Sequence, residues 1–263
     1  MTRRVRRPPA LPLVLAGGAL IVLLLPLLGL LTRAPWSDLW ASVTSEDAVR
    51  ALRLSIVTSL WATFLAVLLG VPLAWVLARV DFPGRSLVRA LTLLPLVLPP
   101  VVGGVALLSA FGGRGLLGGP LDDWFGIQLT FSTPAVVLAE TFVAMPFLVI
   151  TVEAALRSMD RRYEDAAATL GAGRATVFRR VTMPLVAPAL AAGAALAWAR
   201  ALGEFGATIT FAGNVEGETR TAPLAVYLLL DHDPTAAVAL SLVLLAVCVV
   251  VLIALRGRWL GLR

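Results

Sequence analysis

Four long runs without a charged residue limit what this chain can fold into. They cover residues 11–31, 54–78, 90–113 and 234–255. Each is longer than the roughly 20 residues that an α-helix needs to cross about 30 Å of hydrocarbon. Two further stretches, residues 131–156 and 181–212, are as apolar but contain a few charges. The sequence therefore predicts an all-α, polytopic membrane protein with about six transmembrane helices in a lipid bilayer.

The first run could also be interpreted as a cleaved signal peptide, because it follows Arg3, Arg4, Arg6 and Arg7. Its apolar part is too long for a typical signal core, and no clear small-x-small cleavage site ends it. We therefore predict that this run is a retained transmembrane helix.

The arginines predict how the chain is oriented in the membrane. With the N-terminus in the cytoplasm, 16 arginines fall in inside segments, 5 fall in outside segments, and Arg200 lies within the membrane. Cytoplasmic loops carry an excess of basic residues, so both termini are expected in the cytoplasm. The pI near 11.0 reflects this asymmetry. We expect no nucleic-acid partner, because a DNA-binding patch needs a soluble face to carry it.

Missing residue types exclude several chemistries. The chain has no lysine. A Walker A loop needs lysine to reach the nucleotide phosphates, and Schiff-base catalysis needs lysine to form the imine. Its only histidine is His232 and its only cysteine is Cys248, which excludes zinc-type clusters and disulfides within the chain. We expect no cofactor, no metal and no catalytic residue; a membrane enzyme would be left with isolated acids such as Glu140.

The third apolar run contains Pro99 and Pro100, with Gly103 shortly after them. Two adjacent prolines remove two amide donors and clash with the preceding turn, so a straight helix is not expected there. One interpretation is a bent helix that lines a pathway, since freed carbonyls in a bilayer need protein or water to satisfy them. The other is a helix that begins after the prolines, with the earlier residues at the interface.

The apolar stretch at residues 181–212 contains two charges, Arg200 and Glu204. Residues four apart share a helix face, so these two are expected to form an ion pair. Charges inside a membrane are candidates for function, but a neutralised pair that only fixes helix packing is an equal alternative. Glu140 has no partner nearby in the sequence, and Arg200 is one candidate for it.

The inside segment at residues 157–183 is the most informative part of the sequence. Asp160 can cap a short surface helix, with Glu164 and Asp165 near its positive end. One face of that helix would carry, at helical spacing, Tyr163, Ala167 and Leu170. A glycine turn, a second short helix and a proline entering the next span follow. An exposed helix with a small-residue patch is suited to bind in a groove of another protein.

This segment resembles the EAA loop of ABC-importer permeases. That loop has an acidic-Ala-Ala triplet, a glycine after three residues, and an aliphatic-x-Leu-Pro end after nine more. The matching residues here are Asp165, Ala166, Ala167, Gly171 and Pro184. Asp165 stands where glutamate is usual, although Glu164 precedes it, and Met183 replaces leucine. Neither change removes the charge or the apolar character of its position.

The resemblance implies a type I ABC importer permease fold (MetI-like) and a coupling loop that sits in a cleft of a separate ATPase subunit. The absence of lysine agrees with a phosphate loop on another chain. The positions implied for ATPase coupling are Glu164, Asp165, Ala166, Ala167, Gly171 and Pro184. The domain organisation implied is a cytoplasmic N-terminus (1–10), a transmembrane permease domain (11–256, with the coupling loop at 157–183) and a cytoplasmic C-terminus (257–263).

Further stretches, at residues 94–102, 200–207 and 212–221, are similar to the molybdate and sulfate branch of these permeases, and residues 212–227 are closest to the molybdate version. The resemblance implies a permease subunit that translocates molybdate across the bacterial cytoplasmic membrane. It also implies a homodimer of this chain, two ATPase subunits and an extracytoplasmic oxyanion-binding protein. The candidate pathway or helix-interface residues are Pro99, Pro100, Gly103, Arg200, Glu204, Thr208 and Thr210.

Three alternatives remain open from the sequence. A sulfate, thiosulfate or tungstate permease of the same build differs only in the oxyanion that its binding protein holds. A secondary transporter or channel would work without an ATPase, and the coupling-loop motif and the absence of a visible internal repeat argue against it. A membrane enzyme is the third alternative, and the absence of Lys, Cys and His clusters from this chain argues against it.

Overall fold

The computed structural model describes residues 10–259, and all regular secondary structure in this range is helical. The first half contains α1 (Ala10–Thr32), α2 (Leu39–Val43), α3 (Glu46–Arg79), α4 (Arg85–Val97), α5 (Pro100–Phe111) and α6 (Gly118–Phe125). The second half contains α7 (Thr133–Ser158), α8 (Arg162–Thr169), α9 (Arg174–Val177), a π-helical turn (Phe178–Thr182), α10 (Met183–Leu202), α11 (Gly206–Phe211), α12 (Ala222–His232) and α13 (Pro234–Trp259). The all-α prediction is confirmed.

The number of membrane crossings agrees with the prediction of about six. Within residues 10–259, five helical stretches are long and apolar enough to span a membrane: α1, α3, α7, α13 and Arg174–Leu202. The bent pair α4 and α5 would supply a sixth crossing. The predicted terminal segments, residues 1–10 and 257–263, lie outside the described residues except for residues 10 and 257–259.

Helices α3, α7 and α10 form the centre of the molecule. The buried face of α3 consists mainly of small residues at intervals of three or four, among them Ala51, Ser55, Ala62, Ala66 and Ala74. Small residues allow helix backbones in a membrane to approach closely. Gly70 illustrates this closeness, because a Cβ there would lie 3.0 Å from the Leu148 side chain of α7.

The third crossing is broken at the two prolines. Leu98 and Pro99 have extended backbone, and α4 and α5 meet at a bend of 119°. Pro100 takes the first position of α5, where its missing amide donor leaves no hydrogen bond unmade. The predicted bend is therefore confirmed. The alternative, a helix that begins at the prolines, describes the second half of the same bent pair, since α5 starts at Pro100.

The fifth stretch is not one helix over residues 181–212, and that expectation was wrong. Helix α10 ends at Leu202, and α11 starts at Gly206. Glu204 lies in the break, so the expectation that it shares a helix face with Arg200 was also wrong. The Glu204 carboxylate accepts a hydrogen bond from the backbone N–H of Ala207 at 2.7 Å. This local bond starts a new helix in place of the continuing one.

Helix α1 stands apart from the core. None of the residues in its most apolar stretch is buried in the protein, and its leucines are exposed, for example Leu15 at 64% and Leu23 at 67%. In a bilayer, such a surface faces lipid tails or another protein, not water.

Candidate functional site: the coupling loop and the buried polar residues

The predicted surface helix of the coupling loop is present as α8. Asp160 precedes it, and its Oδ1 accepts a hydrogen bond from the backbone N–H of Arg162 at 3.0 Å. The helix ends in a turn where Gly171 has a φ of +84°. Its N–H donates to the carbonyl of Ala168 at 2.9 Å, and the next N–H donates to Ala167 at 3.1 Å. These bonds satisfy the last carbonyls of α8, as helix-ending turns with a left-handed glycine do.

One face of α8 is available to another protein. Tyr163 is 59% exposed and Leu170 is 88% exposed. Asp165 and Ala166 are exposed too, whereas Ala167 is half-buried. Large apolar side chains that are exposed to this extent, next to the charged Asp165, are typical of a surface that a partner covers.

Glu164 points the other way, into the protein. Its Oε2 lies 3.2 Å from Nη2 of Arg79, the last residue of α3. Its Oε1 accepts a hydrogen bond from Oγ1 of Thr182 at 2.7 Å. The two neighbouring acids of the motif therefore have different surroundings, since Asp165 is exposed and Glu164 is bound by two other elements of the chain.

Pro184 lies in the first turn of α10, directly after the π-helical turn. A proline is accepted in the first turn because the amides there have no partner within the helix. Pro184 is exposed, and so is Leu185 beside it. The residues of the motif thus form one continuous end of the molecule, which the predicted orientation makes the inner end.

The ion pair between Arg200 and Glu204 is present. Arg200 Nη1 lies 2.5 Å from Glu204 Oε2, and Glu204 is 1% exposed. Its other oxygen accepts the hydrogen bond from the Ala207 N–H, so both oxygens of this carboxylate have a partner. The pair joins the end of α10 to the start of α11.

Glu140 does not contact Arg200, which was its candidate partner. Its Oε1 accepts a hydrogen bond from Oγ1 of Thr58 on α3 at 3.0 Å. Its Oε2 has no hydrogen-bond partner among residues 10–259. Glu140 is 1% exposed, so it fixes the contact of α7 with α3 deep inside the protein.

The two broken crossings meet at their breaks. A Cβ at Gly206 would lie 2.6 Å from Cβ of Pro100, and a Cβ at Gly104 would lie 2.6 Å from Cβ of Thr210. Helices α5 and α11 are therefore held in close contact by glycines, with Pro100 and Glu204 near the start of the contact.

The remaining pathway candidates differ in their surroundings. A Cβ at Gly103 would meet Phe142 of α7 at 3.3 Å. Thr208 is fully buried, and its hydroxyl has no hydrogen-bond partner in the described residues. Thr210 donates to the Gly206 carbonyl within its own helix at 2.8 Å. Pro99 is exposed. The structure thus brings Pro100 against Gly206, two residues after Glu204, and Gly104 against Thr210. Pro100 is exposed as well.

Several residues of the inner end were not identified from the sequence. Arg79 is 8% exposed at its side chain and Thr182 is 1% exposed. Arg89 of α4 donates from Nε to Glu153 of α7 at 2.9 Å. Glu153 could have indicated this contact, because an acid within an apolar stretch requires a basic partner.

A cluster of charges lies at the opposite end, which the predicted orientation makes the outer end. Arg50 at the start of α3 pairs with Glu46 and lies 3.7 Å from Glu216, which also contacts Arg220 at 3.3 Å. A pocket of about 270 Å³ opens beside these residues, and Asp47 and Asp233 also line it.

Comparison with known proteins assigns this architecture to a family. Residues 66–260 match the family described as "Binding-protein-dependent transport system inner membrane component". The match covers more than half of the chain and includes the whole coupling loop and both broken crossings. The chain belongs to this family. It is therefore a multi-pass membrane component of a transport system and not a catalytic enzyme.

Sequence relatives of this inner membrane component come from two groups. The Molybdenum transport system permease protein ModB of Mycobacterium tuberculosis is 51% identical over 243 residues, covering 92% of each chain. The protein of the same name from Escherichia coli is 43% identical, covering 83% of this chain and 96% of its own. The Sulfate transport system permease protein CysT of Salmonella typhimurium is 38% identical, covering 90% and 86%.

Solved structures confirm the fold of this inner membrane component. A bacterial ABC transporter that imports the acidic polysaccharide alginate matches with a TM-score of 0.77 at 20% identity, covering 97% of this chain and 95% of that chain. The MetNI methionine ABC transporter in an inward-facing conformation matches with a TM-score of 0.62 at 16% identity, covering 82% and 99%. The predicted type I ABC importer permease fold is thereby confirmed.

Proposed function

We propose that this chain is the membrane-spanning permease subunit of an ATP-driven importer that moves molybdate across the cytoplasmic membrane. The observation that carries the importer assignment is the inner-end loop, in which α8 presents an exposed apolar face and Gly171 ends the helix at a φ of +84°. The molybdate assignment is supported by relatives that are named molybdenum transport system permease proteins and are 43–51% identical to this chain.

ATP hydrolysis is assigned to a separate subunit. The chain has no lysine for a phosphate loop, and the exposed side chains of Tyr163, Asp165 and Leu170 are suited to a groove on another protein. The coupling positions proposed are Asp165, Ala166, Ala167, Gly171 and Pro184, with Glu164 behind them. One loop occupies one ATPase subunit, so two copies of this chain would bind the two ATPase subunits of one importer.

The outer end is proposed to receive an extracytoplasmic oxyanion-binding protein. A solved relative of this fold is an alginate transporter in complex with a substrate-bound periplasmic protein. In this chain, the charged cluster of Arg50, Glu216 and Arg220 and its pocket offer polar partners at the end opposite to the coupling loop. Charges at such a rim favour orientation and rapid association of the partner.

The proposed orientation places both termini and the coupling loop in the cytoplasm. Its support is the count of 16 inside and 5 outside arginines. The proposed domain limits are residues 1–10 and 257–263 for the cytoplasmic ends and residues 11–256 for the permease domain, with the coupling loop at 157–183.

The proposed mechanism is alternating access. Closure of the ATPase pair moves the coupling loops, and the helices attached to them change from an inward-open to an outward-open arrangement. The breaks at Pro99 and Glu204 make α5 and α11 short helices that can move separately from α4 and α10. A path lined by buried threonines and glycines is polar without being strongly attractive, which lets an anion leave again.

A sulfate importer is the second candidate, since a sulfate permease protein is 38% identical over most of the chain. Both candidates are tested by reconstituting this chain with its ATPase and binding proteins in liposomes and measuring ATP-dependent accumulation of each oxyanion. The proposal expects accumulation of molybdate, with sulfate at equal concentration competing weakly. Accumulation of sulfate with no effect of molybdate would establish the second candidate instead.

A further inference from the structure

Three residues from distant parts of the chain meet behind the coupling helix. Arg79 ends α3, Glu164 lies in the first turn of α8, and Thr182 ends the π-helical turn before α10. The Arg79–Glu164 distance is 3.2 Å and the Thr182–Glu164 distance is 2.7 Å. We propose that Glu164 is a positioning residue, which clamps the coupling helix to the inner ends of α3 and α10 and transmits its movement to them.

Burial distinguishes this clamp from the exposed Arg85–Asp81 pair at the inner end. The Arg79 side chain is 8% exposed and that of Glu164 is 19% exposed, whereas Asp81, the partner of Arg85, is 93% exposed. An exposed pair contributes little because water and salt screen it. Removing one partner of a buried pair leaves the other charge without compensation, and the remaining group must move or recruit water.

The π-helical turn gives Thr182 its direction. Its closing hydrogen bond joins the N–H of Met183 to the carbonyl of Phe178, which is one residue farther than in an α-helix. One residue corresponds to a rotation of about 100° around a helix. An α-helical turn of the same length would therefore direct the Thr182 hydroxyl away from Glu164. Such turns are frequent at functional sites.

The coupling helix depends on this clamp for its position. Helix α8 has eight residues, and a free helix of that length is not stable in water. Its outer face, with Tyr163 and Leu170, is exposed. Behind the helix, Glu164 lines a pocket together with Trp75, Arg79 and Phe178. Without the clamp, a push on α8 would turn the helix on its own and would not displace α3 and α10.

This inference rests on the proposed function, so the experiment tests the two separately. The complete importer, with this chain, its ATPase and its binding protein, is reconstituted in liposomes. The variants are Glu164→Gln, Thr182→Val and Thr182→Ser, with Asp81→Asn as the control for loss of an exposed carboxylate. Two quantities are measured for each: the ratio of ATP hydrolysis with and without loaded binding protein, and the molybdate accumulated per ATP hydrolysed.

The expected result separates coupling from assembly. Glu164→Gln and Thr182→Val retain the ATPase subunit on purification. Stimulation by the loaded binding protein and accumulation per ATP each fall at least about tenfold, which corresponds to about 1.4 kcal/mol or more of lost coupling. Thr182→Ser, which keeps the hydroxyl, and Asp81→Asn behave like the wild type.

A second measurement does not depend on transport. Trypsin cuts after exposed Arg161 and Arg162 only when the helix start opens locally. In liposomes that contain the full-length chain, cleavage there is expected to be several-fold faster in Thr182→Val than in Thr182→Ser.

Three outcomes would overturn the inference. Loss of the ATPase subunit from both Glu164→Gln and Thr182→Val would make Glu164 a docking residue. Normal stimulation and normal cleavage in both would remove any role for the clamp while leaving the proposed function intact. A wild-type importer without ATP-driven uptake would overturn the proposed function, and the clamp with it.

Discussion

Gly171 owes its place in the coupling loop to backbone conformation and not to crowding. Its φ is +84°, and a Cβ built there would meet nothing within 4 Å. A side chain would therefore fit in space, but an L-residue in this region is strained by roughly 1–2 kcal/mol, less for asparagine and more for a β-branched residue. The sequence identified this residue by its spacing from Asp165, and the structure supplies the physical reason.

A graded series at Gly171 tests this reason. Gly171→Asn is expected to keep most ATP-dependent uptake, Gly171→Ala to lose part of it, and Gly171→Val to lose nearly all, with every variant still inserted in the membrane. The measurement is uptake in liposomes at equal amounts of reconstituted protein. Gly173→Val is the control, because Gly173 has a negative φ and open space. Equal activity of all Gly171 variants would rule out a conformational role.

The Arg200–Glu204 pair makes a second prediction about single residues. Glu204→Gln leaves the partly buried Arg200 without its counter-charge. We expect a loss of stability of about 2 kcal/mol, less than for a fully buried pair because solvent reaches part of Arg200. This corresponds to a Tm lower by roughly 4–8 °C for a chain of this size. The double variant Arg200→Met with Glu204→Gln is expected to recover part of that Tm, because no charge is then left uncompensated. A Tm of Glu204→Gln equal to that of the wild type would exclude a structural role of the charge pair.

The helices themselves were predicted well where the sequence pattern is continuous. The apolar runs at 11–31 and 131–156 became α1 and α7 within two residues at each end. The bend at Pro99 was predicted because proline removes a donor whatever its tertiary context. The break at residues 203–205 was missed, because it results from the hydrogen bond of Glu204 to Ala207 and from the contact of Gly206 with Pro100, and neither is visible in one segment alone.

The close contact of α5 with α11 can be tested at Gly104. A Cβ there would lie 2.6 Å from Cβ of Thr210 and 2.9 Å from the Ala207 carbonyl oxygen. Gly104→Ala therefore forces the two helices apart, and overpacking of this kind costs about 1–3 kcal/mol. We expect a lower Tm and uptake reduced several-fold. Gly113→Ala, at a position with open space around its Cβ, should match the wild type; the same loss in both would disprove a specific helix contact.

As a whole, the molecule has two polar ends and an apolar middle. The coupling loop lies at one end, and the charged pocket around Arg50 and Glu216 lies at the other. Composition was sufficient to predict the apolar, helical middle, since the bilayer accepts only helices whose backbone groups are satisfied. The partners of the exposed face of α1 could not be predicted, because a surface that faces lipid and one that faces a second subunit have the same apolar composition.

The number of copies is predicted at this level as well. Native mass spectrometry of the purified importer is expected to release a membrane unit of twice the chain mass of 27.7 kDa, together with two ATPase subunits. A membrane unit with one copy of this chain and one copy of a different permease would contradict the proposed homodimer.

The account depends most on the side of the membrane on which the coupling loop lies and on what covers it. The direct measurement uses Leu170→Cys, at a position that is 88% exposed, in a chain whose only native cysteine is removed by Cys248→Ala. A membrane-impermeant thiol reagent is applied to sealed vesicles of each orientation, with and without the ATPase subunit. We predict labelling only from the cytoplasmic side, and protection when the ATPase subunit is bound. Labelling from the outer side, or labelling from the cytoplasmic side that the ATPase subunit does not reduce, would contradict the account.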